Sequence, residues 1–264
     1  MDTDTRAAAR RLAAAWNSQT WIDALPPAER PATLDAAYAI QRQLQEETGE
    51  PSAGWKMGGA SVNGLRSSPS GQATFGFLRA SCVHASGVAL ALPPGGAVLE
   101  VEVALRFGRQ VAPATTPFDP ALIDAAFVAI EVVRSRFHDR KAVGQTSFVA
   151  DDAGFHAFVY GAVLPGGLAS GAVAEGAMLS RDGVPISPPL SGDDGIDPLE
   201  SLRLFWDHAA SHGIVVPAGA FVSTGTQTAA VEVSEGGTYQ GSIGSHVVRL
   251  VLAPAPGRAA PASA

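Results

Sequence analysis

Apolar and polar residues alternate with period two over residues 99–105, which is the pattern of a half-buried β-strand. Four aliphatic side chains share one face of this predicted strand, and Glu100 and Glu102 share the other. A second strand is predicted over residues 127–133, where Glu131 interrupts an otherwise apolar run. An unpaired ionised carboxylate costs several kcal/mol in such a run, so we expect Glu131 to have a partner.

Helical spacing of apolar residues, with capping residues and prolines at the ends, predicts helices at 5–17, 34–47, 120–126 and 198–211. From residue 54 onward short apolar runs alternate with Gly, Pro and Ser, which indicates a β-rich body. The predicted strands are 54–57, 82–84, 100–108, 127–137, 157–163, 172–181, 219–223 and 239–252, with a hairpin turn at 181–184. The pattern therefore predicts an α+β protein with a helical subdomain (1–50), a β-rich domain (51–252) and a disordered tail (253–264).

Glu100, Glu102 and Glu131 are candidate metal ligands. Carboxylates two residues apart on one strand face stand roughly 6 to 7 Å apart, and nothing local neutralises them. A half-solvated strand with a charged outer face would explain Glu100 and Glu102, but it does not explain Glu131. An oxygen-only site suits Mg²⁺ or Mn²⁺, whereas zinc favours His or Cys.

Composition narrows the class of protein. The chain has 264 residues, 46% of them hydrophobic, which is enough for a full globular core. A net charge of -7 argues against nucleic acid or an anionic membrane surface as partner. Cys82 is the single cysteine, so we expect neither a disulfide nor a cysteine metal cluster. With no signal-peptide or membrane-span pattern, the expected location is the cytoplasm.

Lys56 is one of only two lysines and stands between Trp55 and Met57 in a segment bounded by glycines. A generic lysine in this setting lies at the surface with its stem against the tryptophan. The scarcity of lysine favours a second interpretation, in which a partly desolvated ammonium moves protons and offsets the negative charge of the glutamates.

Two further segments carry candidate polar groups. Asp151, Asp152 and His156 precede or begin an apolar run, where acids are commonly turn formers but could also orient water or cap a substrate. Thr224 and Gly225 follow a predicted strand, where they form a plain turn or present backbone N–H groups to a carboxylate.

His208 and His212 lie four residues apart on the predicted helix at 198–211 and its end. Without an adjacent glutamate in an HExxH pattern, histidines favoured by a helix C-terminus explain them better than a metal pair. The chain also has no GxSxG elbow, P-loop or dinucleotide fingerprint.

Taken together, these motifs resemble the 2-keto-4-pentenoate hydratase and 2-oxo-3-hexenedioate decarboxylase family, within the fumarylacetoacetate hydrolase superfamily. The resemblance runs from about residue 35 to about residue 252. Its motifs are Gly-Trp-Lys-x-Gly with Lys56, Glu-x-Glu with Glu100 and Glu102, a third acid at Glu131, the stretch 150–154 and the Thr-Gly pair at 224–225. The resemblance implies a mixed β-sheet roll with a small N-terminal helical subdomain, a bound Mg²⁺ or Mn²⁺ and a homo-oligomer.

The chain departs from the family pattern around the metal motif. Thr74 precedes Phe75 where the family usually has Asp, Arg134 stands where it often has Asp, and Asp152 replaces its Asn. We therefore expect a changed pocket, and with it a changed substrate. The candidate substrate-binding residues are Trp55, Thr74, Phe75, Arg134, Asp151, Thr224 and Gly225.

The leading hypothesis is a metal-dependent hydratase that acts on a 2-hydroxy-dienoate or 2-oxo-enoic acid and yields a 4-hydroxy-2-oxo acid. Lys56 would move the proton, and Asp152 or His156 would orient water. Decarboxylation of a 2-oxo-enedioate, with its second carboxylate on Arg134 or Arg136, is the alternative. The third hypothesis is hydrolysis of an acylpyruvate C–C bond. The fourth is a family member that binds a metabolite or a partner without catalysis.

Overall fold

The computed structural model describes residues 4–169 and 176–254. Its helices are α1 (Thr5–Ser18), α2 (Leu34–Thr48), α3 (Val62–Ser67), α4 (Gly144–Ala150) and α5 (Pro198–Ser211). The helices predicted at 5–17, 34–47 and 198–211 are confirmed. The side chains of Thr33 and Asp197 cap their first turns as expected, and Asp4 caps α1. Helices α3 and α4 were not predicted from the sequence. No helix of the described residues is long and apolar enough to cross a membrane.

Thirteen strands lie in the described residues. They are β1 (Ser52–Gly58), β2 (Thr74–Arg79), β3 (Val83–Ala85), β4 (Val88–Ala91), β5 (Ala97–Phe107), β6 (Ile123–Val133), β7 (Phe155–Leu164), β8 (Ala177–Arg181), β9 (Val184–Ser187), β10 (Phe221–Thr226), β11 (Val231–Val233), β12 (Gly237–Ile243) and β13 (His246–Ala253). The predicted turn at 181–184 is confirmed as the β8–β9 connection.

Two predicted elements are wrong. The helix at 120–126 is only a 3₁₀ turn (Pro120–Leu122), because Ile123 pairs with Phe107 and begins β6. The single strand at 239–252 is a hairpin of β12 and β13. Cross-strand pairing overrides local propensity in the first case, and the turn at Gly244 was overlooked in the second. The start of the strand predicted at 172–181, and nearly all of the predicted tail, lie outside the described residues.

The strands form two mixed sheets. The larger sheet has the order β2-β1-β10-β5-β6-β7-β3, with β11 paired to β5. The β1–β10 and β3–β7 pairs are parallel, and the other pairs of this sheet are antiparallel. The smaller sheet has the order β4-β13-β12-β8-β9. This mixed α+β architecture confirms the predicted fold class.

The larger sheet has an outer and an inner face. On the outer face Phe205 of α5 packs 5.2 Å from Trp55, ring centre to ring centre. The smaller sheet covers the same face, since a Cβ on Gly241 would stand 3.1 Å from both Val101 and Ile130. The inner face carries a separate aromatic cluster, which we define as Phe127, Phe155, Phe158, Tyr160 and Phe221.

The larger sheet curls because one of its edges is fastened to the segment before β7. The Asp152 carboxylate accepts a hydrogen bond of 2.7 Å from the Phe77 amide of β2. Helix α2 braces the same region, since the Gln41 side chain donates to the Phe75 carbonyl at 2.7 Å and to the Val149 carbonyl. The helices and both sheets thus share one continuous hydrophobic core. The inner face of the larger sheet becomes the concave interior of a roll.

Candidate metal centre and active site

Three glutamates converge on the inner face of the larger sheet. Glu100 and Glu131 are directly paired across β5 and β6, and Glu102 lies two residues further along β5. One carboxylate oxygen from each residue lies within 4.8 Å of the others. Glu102 and Glu131 are fully buried, whereas Glu100 is partly exposed. The convergence predicted from strand alternation is confirmed.

The glutamates keep oxygens free for a cation. Oε2 of Glu102 accepts hydrogen bonds from the Ser223 hydroxyl and, at 3.2 Å, from the Gly225 amide. Oε1 of Glu102 and Oε2 of Glu131 are buried without a partner among the described residues. Buried carboxylate oxygens ordinarily have a partner, so a group is expected between them. An all-oxygen donor set fits a hard divalent cation.

Lys56 of β1 reaches the same cluster. Its Nζ lies 3.0 Å from Oε1 of Glu131 and donates a 3.1 Å hydrogen bond to the Ala153 carbonyl. The side chain is 3% exposed, so the interpretation as a surface lysine is wrong. Three carboxylates and one ammonium leave two uncompensated negative charges in a buried site, and one divalent cation would balance them.

The pKa values of these groups reflect that excess of negative charge. Burial raises the pKa of Glu131 to about 7, although the Lys56 ammonium partly offsets the effect. Burial, together with Glu131 and Glu100, raises the pKa of Glu102 well above its usual range. Burial alone would lower the pKa of Lys56, but the three glutamates outweigh it and the net direction is upward. Lys56 is therefore an ammonium at neutral pH.

The raised pKa of Glu131 predicts a pH-dependent stability difference. A carboxyl whose pKa is higher in the folded state stabilises the fold below its unfolded pKa, and this contribution is lost as the pH rises through about 7. We therefore compare the melting temperatures of Glu131→Gln and the wild type, both in chelator. The melting temperature of the variant minus that of the wild type should increase by roughly 5 °C from pH 5 to pH 8.

The comparison of the two proteins cancels the titration of groups that do not interact with Glu131. Burial lowers the pKa of His156 to about 4 and that of His208 to about 3, and both titrate alike in the variant and the wild type. Differential scanning fluorimetry across the pH range measures the difference. Parallel melting curves for the two proteins would contradict the assignment.

Asp152, Ala153 and Gly154 form a tight turn with three consecutive positive φ angles of 56°, 46° and 72°. The turn aims the Ala153 carbonyl at Lys56. The Asp152 carboxylate accepts from the Phe77 amide and lies 3.3 Å from Nη2 of Arg79, and burial raises its pKa. Asp152 thus fastens β2 to the segment before β7. Its neighbour Ala153 positions Lys56 through the backbone carbonyl.

Asp151, which was predicted to bind substrate, is instead engaged with the protein. Its carboxylate accepts from the Ser135 hydroxyl at 2.6 Å and from the backbone and side chain of Arg136. Arg136 also donates to the Phe155 carbonyl at 2.8 Å. Both residues are at least 96% buried. This pair is a structural clamp, and neither side chain is free for a substrate carboxylate.

His156 and Arg134 lie away from the glutamates. His156 packs edge to face on Trp16 at 5.4 Å, and Arg134 lies 4.6 Å from the ring centre of Trp21. Burial and the nearby arginines keep His156 neutral, with a pKa lowered to about 4. Arg134 lines a cavity of about 580 Å³. Val98 and Val133, which pair across β5 and β6 on the same inner face as the glutamates, also line this cavity.

Trp55 and Phe75 differ most from the predicted roles. Strand alternation places them on the outer face, because Lys56 pairs with Gly76 on the inner face while Trp55 and Phe75 flank that pair. Both rings pack on helix α5. Thr74, in contrast, shares the inner face with Lys56, and its hydroxyl donates to the Gly58 carbonyl at 3.4 Å.

The Thr224–Gly225 turn forms hydrogen bonds to β5 that orient Glu102. The Thr224 hydroxyl donates to the Val103 carbonyl at 2.9 Å, so it faces into the protein. Gly225, with φ of 98°, directs its amide at the Glu102 carboxylate. The predicted N–H donor for a carboxylate is therefore present, but the carboxylate that it binds belongs to the protein.

Sequence reasoning missed two residues of the site. Ser223 donates its hydroxyl to Glu102, and Arg79 pairs with Asp152 while packing 4.0 Å from the ring centre of Trp16. Both are at least 97% buried. Each is a polar residue at the end of an apolar run, and that signal would have singled them out.

Comparisons with known proteins match the fold. No family model and no curated protein matches the chain. The structure of 4-oxalocrotonate decarboxylase from Pseudomonas putida G7 complexed with magnesium and adipate superposes with a TM-score of 0.79 at 23% identity, covering 94% of this chain and 97% of that chain. The same enzyme complexed with calcium and acetate gives 0.78 at 22% identity, with the same coverage.

A third structure is more distant. A protein from Yersinia pestis CO92 described as belonging to the fumarylacetoacetate hydrolase family gives a TM-score of 0.53 at 17% identity, covering 77% of this chain and 94% of that chain. The fold that the sequence resemblance implied, a fumarylacetoacetate hydrolase-like roll, is thereby confirmed.

Proposed function

We propose that this protein is a divalent-metal-dependent lyase of the fumarylacetoacetate hydrolase superfamily that acts on a 2-oxo acid conjugated to a double bond. The observation that carries the proposal is the buried cluster of three carboxylates and one ammonium, with two carboxylate oxygens that have no partner in the described part of the chain. Glu100, Glu102 and Glu131 would hold Mg²⁺ or Mn²⁺. The partly exposed Glu100 marks the side from which a substrate reaches the site.

Metal binding, proton donation and positioning are proposed for different residues of the cluster. A divalent cation bound by the three glutamates would polarise the carboxylate and keto oxygens of a 2-oxo acid and so make its carbon skeleton a better electron acceptor. Lys56, which is buried and protonated, donates a proton to the substrate. Ser223 and Gly225 fix the orientation of Glu102, and Ala153 fixes that of the lysine.

Decarboxylation of a 2-oxo-enedioate is the reaction that this arrangement favours. When the bond between the distal carboxylate and its neighbouring carbon breaks, CO₂ leaves and the electron pair moves toward the 2-oxo group, where the Lys56 proton neutralises it. No activated water is needed. This matters because the carboxylate of Asp152 is held by Phe77 and Arg79, and His156 lies against Trp16.

The cavity beside the glutamates supports a dicarboxylate substrate. Val98 and Val133 line the 580 Å³ cavity and lie two residues from Glu100 and Glu131 on the same face of the sheet. Arg134 lines that cavity, and its Nε is buried without a hydrogen-bond partner among the described residues. A cation in the lining of a cavity attracts dianions. In the similar decarboxylase the bound adipate is also a dicarboxylate.

Hydration of a 2-hydroxy-dienoate is the second candidate, and the position of Thr74 favours it. Its hydroxyl lies on the inner face two residues from the Gly76 that pairs with Lys56, where it could orient a water molecule. The metal and the proton from Lys56 would serve this reaction equally well.

Product analysis tests the proposal. With Mg²⁺ or Mn²⁺ we expect CO₂ release from 2-oxohex-3-enedioate, and a chelator should abolish it. Water addition to 2-hydroxypenta-2,4-dienoate without CO₂ release from the diacid would establish the hydratase instead. Cleavage of an acylpyruvate alone would indicate a hydrolase. No turnover of any of these compounds with either metal would overturn the proposed lyase and leave a non-catalytic binding protein.

A further inference from the structure

A second cavity, of about 190 Å³, lies on the outer face of strands β1 and β2, beneath helices α2 and α5. Trp55 and Phe77 face it from β1 and β2, and Tyr38 and His208 face it from the helices. Its remaining lining residues are Gln41, Arg42, Gln45, Phe75, His212 and Ile214. The sheet separates this cavity from the glutamates, so it is distinct from the proposed active site.

Six of the ten residues that line this cavity carry aromatic rings. The His208 ring stacks on Phe75 with 4.1 Å between ring centres and meets Tyr38 at 4.7 Å. Trp55 and Phe77 are 6.4 Å apart. Burial lowers the pKa of His208 to about 3, so its ring is uncharged at neutral pH. A cavity of roughly 150 Å³ with apolar walls accommodates benzene, so a planar six-membered ring fits this volume.

One hydrogen-bond donor in the lining of the cavity is unsatisfied. The Trp55 indole Nε1 is buried without a partner among the described residues, in a side chain that is about nine-tenths buried. A buried indole N–H usually has an acceptor. Arg42 stands at the rim, exposed, and forms no ion pair with an acid of the described residues. No aspartate or glutamate lines the cavity.

We propose that this cavity binds a monocyclic aromatic carboxylate, with the ring packed against Trp55 and beside the Phe75–His208 stack, and with the carboxylate at Arg42. The aromatic walls match the faces and edges of the ring. The guanidinium provides a bidentate partner for the carboxylate, and the indole N–H provides a donor for a ring substituent such as a hydroxyl. Charge complementarity selects the anion, because the lining carries a cation and no carboxylate.

The geometry links this ligand to the strands of the active site. Trp55 precedes Lys56 on β1, and Phe75 lies between Thr74 and Gly76 on β2. A ligand bound against Trp55 and Phe75 therefore contacts the reverse side of the segments that hold the lysine.

Isothermal titration of the full chain with benzoate and with salicylate, in chelator and without substrate, tests the proposal. We expect one site per chain. Arg42→Gln should weaken binding of both acids at least tenfold. Trp55→Phe should weaken salicylate more than benzoate, because it removes the N–H that meets the hydroxyl. Arg109→Gln, an exposed arginine that does not line the cavity, is the matched control and should bind as the wild type does.

Binding at the proposed metal centre is distinguished by Glu102→Gln, which should leave benzoate affinity unchanged. A benzoate site that requires Mg²⁺ or disappears in Glu102→Gln would overturn the proposal. So would absence of binding by the wild type, or equal affinities of the wild type and Arg42→Gln. Melting curves of each variant confirm that it is folded.

Discussion

Glu102→Gln is expected to lower the affinity for Mg²⁺ or Mn²⁺ by roughly 100-fold or more and to reduce turnover below detection. The substitution keeps the size of the side chain but removes one of three negative charges from a fully buried site. The amide also replaces the acceptor of the Ser223 and Gly225 hydrogen bonds with a weaker one. Metal titration by calorimetry and a 2-oxohex-3-enedioate assay measure the two effects.

The stability of the same variant distinguishes a metal ligand from a structural residue. In chelator at pH 8, Glu102→Gln should melt at or above the temperature of the wild type, because burying the ionised carboxylate is costly. Glu46→Gln is the control. It changes an exposed glutamate on helix α2 that does not line the 580 Å³ cavity, and it should alter neither metal affinity nor activity. A marked loss of stability without loss of metal affinity would assign Glu102 a structural role.

Lys56→Met is expected to lower kcat by about 10³-fold while metal binding is retained. Methionine keeps the unbranched shape of the side chain and fills the buried space, but it cannot transfer a proton. Loss of the ammonium also leaves the glutamates with one more uncompensated charge, so divalent metal should bind at least as tightly as in the wild type.

Arg109→Met is the matched control, because Arg109 is an exposed cation that does not line the 580 Å³ cavity. Its variant should keep full activity. Retention of most activity by Lys56→Met would remove this residue from the mechanism. Loss of metal binding together with activity would show that Lys56 instead supports the glutamates.

Local patterns in the sequence were sufficient for the metal centre. Period-two alternation places Glu100 and Glu102 on one strand face, and the isolated acid in the β6 run requires a partner whatever the topology. Caps and apolar spacing likewise identify helices α1, α2 and α5. These features depend on neighbours within a few residues.

The partners of buried polar residues follow from long-range packing. Asp151 and Asp152 look alike in the sequence, yet one is clamped by Arg136 and the other fastens β2 to the segment before β7. Which protein partner each of them meets depends on a turn with three positive φ angles. A local sequence motif does not show which distant strand or arginine will contact it in the folded protein.

The sequence by itself determined the strand faces, the three carboxylates and the need for a balancing cation. Only the tertiary structure decided that Lys56 reaches Glu131, that Ser223 orients Glu102, and that Trp55 lies behind the site. The physical reason is that side-chain alternation is set by local backbone geometry, whereas hydrogen-bond partners are set by how the sheet curls and which segments its curvature brings together.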